Sequence, residues 1–202
     1  EQGAAFILKV LMRTGNYPIE NILKMDPTFQ DKLIETIKSH PDEAAFLKYK
    51  GFCIQMLGII SGLNQESFNK TTSELPLEVI REIAGPYSFA FGVFISKIID
   101  NEEVEFDEDF LVEIIHQSIL SIIQATEANS QIPIPTGGMT RKLRESERKR
   151  ESFGKTINNF LIAIRKALRN EEVFNKFTET DFFEVFLNNA IQKPESAKEA
   201  FA

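Results

Sequence analysis

Tryptophan is absent from the 202-residue chain, cysteine occurs once (Cys53) and histidine twice (His40 and His116). A single cysteine excludes an intrachain disulfide and any multi-cysteine zinc site. It also points to a reducing compartment, with the cytoplasm as the expected location. So few histidines and cysteines leave no Cys/His or Ser/His/Asp arrangement for nucleophilic catalysis. No apolar run reaches the roughly 20 residues that span a bilayer. The densest, FCIQMLGIISGL, covers only Phe52 to Leu63. Strict apolar/polar alternation is missing too, and EVEF (103–106) is at most a short extended piece. No signal peptide is visible, although an opening at Glu1 rather than Met is compatible with a segment removed upstream.

What is present is a helical protein's composition. Apolar residues make up 43% of the chain, enough to fill a core, and 18 of them are phenylalanine. Phenylalanine has no polar atom in need of a partner, so most of these rings belong inside. Net charge is −7, but it is unevenly spread. Residues 141–169 hold 10 Lys/Arg and 3 Asp/Glu, whereas the rest of the chain holds 13 and 27. An acidic body therefore carries one basic segment.

Nearly every stretch reads as helix. AAFILKVLMRTG stops at Gly15, and Pro18 opens YPIENILKMD. Asp26-Pro27 caps PTFQDKLIETIKSH, in which Phe29, Leu33, Ile34 and Ile37 recur at helical spacing. A glycine-rich helix covers 42–63, and NQESFNKTTSE then reads as a polar connection. LPLEVIREIAG is a short amphipathic helix closed by Gly85-Pro86. YSFAFGVFISKIID is apolar nearly all round and belongs at the centre. Asp107 to Asp109 begin the next helix, about 107–127, with Phe110, Leu111, Ile114, Ile115, Ile119, Ile122 and Ile123 on one face. Residues 128–139 are a flexible loop and 140–169 one long amphipathic helix. Two short helices follow, the second capped by Thr180, and 193–202 is a frayed tail. The expected fold is all-α, a single domain over 1–202 of about eight helices packed around 42–63 and 88–99.

Several short motifs have structural readings at hand. SFGKT (152–156) resembles the end of a phosphate-binding loop, but Lys149 stands where the pattern needs glycine. Glu113-Ile-Ile-His116 has metal-ligand spacing, yet a two-metal bundle site needs a second such pair and two more carboxylates. DNEEVEFDEDF lacks the central glycine of an EF-hand and reads as a solvated acidic loop. Gly51, Gly58 and Gly62 leave one helix face almost bare, which lets another helix approach closely. Cys53 beside them reads as a small buried hydrophobe.

The stretch LPLEVIREIAG places Leu75, Pro76, Glu78, Val79, Ile80 and Ile83 at positions where it resembles the opening of an F-box. The resemblance covers about ten residues of a longer motif and implies docking to a ubiquitin-ligase adaptor through Leu75, Pro76 and Glu78. The following PYSFAFGVF departs from the family's second leucine-rich helix and late tryptophan.

The basic helix has an uneven inner face. Leu143, Phe153, Ile157, Phe160, Leu161, Ile164 and Leu168 share one side, with Arg141, Arg144, Arg148, Lys155, Lys166 and Arg169 opposite. Before Phe153 the inward positions are Leu143, Ser146 and Arg150, so the first turns have almost nothing to dock. At 1.5 Å per residue the preceding helix spans about 31 Å and 140–169 about 45 Å, an overhang of about nine residues. Both arguments predict a projecting basic arm over 140–152. Arg141, Lys142, Arg144, Arg148, Lys149 and Lys155 are its candidate partner-binding residues. The functional expectation is a soluble, non-enzymatic adaptor, regulatory or effector-type protein that docks an acidic protein partner through this arm. Nucleic-acid binding by the same residues is the alternative from another class, and F-box-like docking the third. No cofactor, metal or membrane span is expected.

Overall fold

A computed structural model describes residues 16–39, 44–85, 89–102, 104–132 and 141–192, with side chains at all of these except 16–18, 44–48, 141–144 and 189–192. Every regular element among the described residues is an α-helix, and there are ten of them. The helix expected before Gly15, the residues around His40 and the tail from 193 lie outside the described residues. The helices group into two compact units, Glu1–Glu105 and Phe106–Ala202.

The first unit contains α1 (Asn16–Met25), α2 (Phe29–Ser39), α3 (Ala44–Ser61), α4 (Gln65–Glu74), α5 (Leu77–Ala84) and α6 (Phe89–Ile98). Asp26 caps the approach to α2 as its sequence suggests, its carboxylate accepting from the Thr28 amide at 3.2 Å. Leu33, Ile34 and Ile37 of α2 are buried at the expected spacing. The most extensive pairing is between α3 and α6. A Cβ on Gly58 would lie 2.6 Å from the Phe94 Cα, and one on Gly62 would lie 2.5 Å from the Lys97 carbonyl oxygen. The two backbones thus touch where α3 has no side chain. Around this seam Ile54, Leu57, Ile60, Phe91, Phe94, Ile95 and Ile98 are fully buried. The close-approach reading of the glycine face holds.

The polar stretch after α3 is not a connection but the helix α4. The Asn64 side chain accepts from the Ser67 amide at 2.9 Å and starts it. What keeps it folded is tertiary. Gln30 donates to the Ser67 carbonyl (2.8 Å) and to the Thr71 hydroxyl (2.9 Å). The Thr71 hydroxyl pairs with that of Ser61 (2.7 Å), which also reaches the Leu57 carbonyl (2.7 Å). One proton per hydroxyl is enough to satisfy this buried chain from α2 through α4 to α3. Exposed ion pairs of Lys70 with Asp31 and Lys38 with Glu74 add little beside it. Gly85, at φ 87°, closes α5 in a conformation that favours glycine.

The second unit contains α7 (Glu108–Ser130), α8 (Arg141–Ala167), α9 (Glu171–Thr178) and α10 (Asp181–Gln192). Asp107 caps α7 by accepting from the Phe110 amide at 2.7 Å, and Asn170 caps α9. α7 and α8 form the most extensive pair. They run antiparallel, with Arg150 of α8 donating to the Ile132 carbonyl just beyond the end of α7 (3.2 Å). α9 lies by the start of α7, where Lys176 meets Asp109 at 2.5 Å.

Three expectations change here. α7 runs three residues beyond 127, so 128–130 are helix rather than loop. With 23 residues in α7 and 27 in α8, the length difference shrinks to four. Second, α7 buries Ser118, Ser121 and Ala125 in its second half, while Ile122 and Ile123 stay half-buried. Small residues at this spacing suit close pairing with a long neighbour better than the bulkier isoleucines do. Third, the Thr180 hydroxyl does not cap α10. It donates back to the Phe177 carbonyl at 2.7 Å, at the end of α9.

The contrast among glycines is testable. Gly58→Ala and Gly62→Ala force a methyl into backbone and should each cost about 1–3 kcal/mol. Gly154→Ala, in α8 with nothing within 4 Å of a Cβ, should stabilise by about 0.5–1 kcal/mol. Thermal or urea melts of the three variants give the order, and equal melting points for all three would refute the seam.

Candidate functional site

α8 is one continuous helix, and among its described side chains burial is confined to the second half. From Glu145 to Lys155 no side chain is buried, and Glu145, Glu147, Arg148, Lys149, Glu151, Ser152 and Lys155 are exposed. Burial begins at Thr156 and continues through Phe160, Ala163, Ile164 and Ala167. The Phe153 ring, where the apolar pattern places the start of docking, is half-buried, and full burial begins three residues later. Of the six candidate residues, Arg148, Lys149 and Lys155 are described and all three are solvent-facing. The backbones of Arg141, Lys142 and Arg144 form the first turn, and their side chains lie outside the described residues. Lys155 meets Glu151 at 2.7 Å, and that partner holds the Glu151 carboxyl below its ordinary range.

Among the described residues, Arg150 ties the under-docked half of α8 to the chain beyond α7. It was placed inward by the helical spacing, and its guanidinium reaches the Ile132 carbonyl. The arginine satisfies a carbonyl past the end of α7 where an apolar residue would have had nothing to pack on. SFGKT lies within the same helix, with the Thr156 hydroxyl donating to the Ser152 carbonyl at 3.0 Å. Its amides are committed to the helix and cannot wrap a phosphate.

The segment of α5 divides differently. Leu75, Leu77 and Ile80 are buried, while Pro76, Glu78 and Val79 face solvent. Leu75 is taken up by its own unit's packing, so of the three residues the resemblance singles out, Pro76 and Glu78 remain on the surface, with Val79 and Glu82 beside them.

His116 occupies a boundary position in the second unit. Its ring stacks on Phe182 with centroids 4.3 Å apart, and Phe177 stands at 6.1 Å. Its Nε2 lies 3.3 Å from the Thr180 hydroxyl. That hydroxyl already donates to Phe177, so it accepts here and Nε2 carries the proton. The Nδ1 to Glu113 distance is 3.9 Å, beyond a hydrogen bond. The Glu113/His116 pair therefore builds an aromatic joint between α7 and α10. Among the described residues no three His, Cys, Asp or Glu side chains gather as a metal site. The acidic run before α7 serves helix ends, with Asp107 as cap and Asp109 paired to Lys176. Beside them Glu108 hydrogen-bonds Glu172 and pushes its carboxyl above the ordinary range.

Cys53 is fully buried, and burial pushes its thiol up to about 11, with a smaller opposing effect from Tyr49. A thiol reagent at neutral pH should therefore react only after denaturation. Rapid modification of the folded chain would contradict this placement.

Burial also lowers the His116 imidazole below its ordinary 6.5, and Glu113 offsets part of that. A folded state that prefers the neutral ring is favoured fully above the unfolded value, and this share of stability drains as pH falls through the folded one. The chain should lose stability on going from pH 7 towards pH 5. His116→Phe, which keeps a ring against Phe182 and cannot titrate, should flatten that loss. Parallel profiles for the two proteins would refute the joint's pH dependence.

Comparison of the chain with protein-family models, with curated proteins and with solved structures finds no match in any of the three.

Proposed function

We propose that this chain is a non-enzymatic protein-interaction protein, of the adaptor, regulatory or effector type. Its docking surface is the outer face of the first half of α8. Arg148, Lys149 and Lys155 lie at its centre, and Arg141, Lys142 and Arg144 continue it towards the start. Its partner is an acidic protein surface. One observation carries the reading: helix persists from Arg141 to Ser152 although no described side chain there is buried. With Arg150 set against Ile132, nine residues of α8 precede that contact, Arg141 to Lys149. An arm of about two and a half turns past the end of α7 accounts for both facts.

Charge pattern favours protein over nucleic acid. Glu145, Glu147 and Glu151 alternate with the cations and would repel phosphates, and no aromatic ring precedes Phe153 for base stacking. A protein partner can answer such a mixed face with charges of both signs, which gives register as well as attraction. An adaptor role through 75–85 has Pro76, Glu78, Val79 and Glu82 as its exposed residues, a smaller surface without Leu75.

The test reverses the charge of Arg148, Lys149 and Lys155 together in the full chain. Immobilised native protein should retain an acidic polypeptide such as poly-glutamate at low salt. It should retain duplex DNA less well, and the triple variant should bind the polypeptide at least about tenfold more weakly. Tighter retention of DNA, lost in the same variant, would move the function to nucleic-acid binding. Equal retention by native and variant chains would remove the arm as the docking surface.

A further inference from the structure

We propose that Ser152 is a phosphorylation site for a serine kinase that reads basic residues, and that its modification switches off the docking face of α8. The modification stands on its own observations, whereas its effect on docking rests on the function proposed above.

Three features converge on this hydroxyl. The first is sequence context. Ser152 is preceded by three successive bases, Arg148-Lys149-Arg150, with only Glu151 between. Ser146, the other serine of the arm, has Lys142, Leu143, Arg144 and Glu145 in the corresponding places, so the base three residues before it is replaced by leucine, and it is half-buried. The second is access, because Ser152 is exposed. The third is the low cost of presentation. A kinase takes its substrate extended, so the local helix must open. Opening 145–155 uncovers no buried side chain, since none of them is buried. Helix hydrogen bonds, ion pairs, the Arg150 contact and the packing of the half-buried Phe153 ring are exchanged for water, less than the second half of α8 with its buried Phe160, Ala163, Ile164 and Ala167 would give up.

The chemistry is a phosphoryl transfer from ATP. The Ser152 Oγ forms a bond to the γ-phosphorus while the bond to the bridging oxygen of ADP breaks. ADP leaves with that electron pair, and the hydroxyl proton passes to the kinase's base. The product brings a charge of about −1.5 to −2 and three acceptor oxygens onto the helix. Helical spacing puts Arg148 and Lys149 one turn before it and Lys155 one turn after it, all within reach of the phosphate. Lys155 is then drawn from Glu151, its present partner at 2.7 Å. The cations that would face an acidic partner turn inward to an acid of their own chain.

The experiment treats the full folded chain with ATP and the catalytic subunit of cyclic-AMP-dependent protein kinase, which takes bases two and three residues before its serine. One phosphoryl group per chain should be incorporated and map to Ser152. Ser152→Ala should abolish it, Ser146→Ala should leave it, and Lys149→Gln with Arg150→Gln should slow it. No incorporation, incorporation only after heat unfolding, or labelling that persists in Ser152→Ala would overturn the site. The phosphorylated chain should then lose its retention on poly-glutamate. Retention unchanged despite full phosphorylation would overturn the switch. If the unmodified chain itself is not retained, the docking reading fails while the mapped site stands.

Discussion

A helix in water is held chiefly by the face it buries, and that constraint divides this protein into well-held and weakly held parts. α3 is the extreme of the first kind. Its glycines bring its backbone onto that of α6, and the residues around the contact are excluded from water on nearly all sides. α8 contains both kinds in one element. From Thr156 onward it carries the buried residues that pack it into its unit, and before that none of its described side chains is buried, with Arg150 reaching the Ile132 carbonyl. The candidate surface exists because the apolar pattern stops while the helical pattern does not.

Two polar clusters, one in each unit, show the same economy. Gln30, Thr71 and Ser61 satisfy one another in a row, and this lets a helix as polar as α4 sit against α2 and α3. Thr180 does two tasks with one hydroxyl, donating to the Phe177 carbonyl and accepting from His116. Both arrangements use side chains whose capacity matches what the backbone around them leaves open.

Most of the helices, and the end of docking on α8, were legible because they depend on local pattern. Asp107 as a cap, the apolar spacing of α2 and the bare glycine face of α3 are written within one turn or a few. The failures share a cause. α4 has the composition of a loop, and the Gln30 side chain that secures it to α2 comes from 37 and 41 positions away from its partners Ser67 and Thr71. Thr180 has the type and place of a cap, but its hydroxyl donates back to the Phe177 carbonyl and accepts from the His116 ring of α7. The apolar pattern puts Ile122 and Ile123 on one buried face of α7, but a helix with several neighbours buries Ser118, Ser121 and Ala125 as well. For the candidate site, Arg150 was placed inward by spacing, yet its partner carbonyl could not be read from the chain.

The seam between α3 and α6 has a consequence for how this protein can vary through descent. Most packed positions tolerate exchange, because a neighbouring side chain can change rotamer when one residue grows and another shrinks. Gly58 and Gly62 face main-chain atoms of Phe94 and Lys97, which are the same whatever residues stand at 94 and 97. No second substitution across the contact can compensate for a first. Related chains that keep this fold should therefore drift freely along α8 and its charges while holding these two glycines, and any homologue so distant that little else aligns could still be recognised by their spacing.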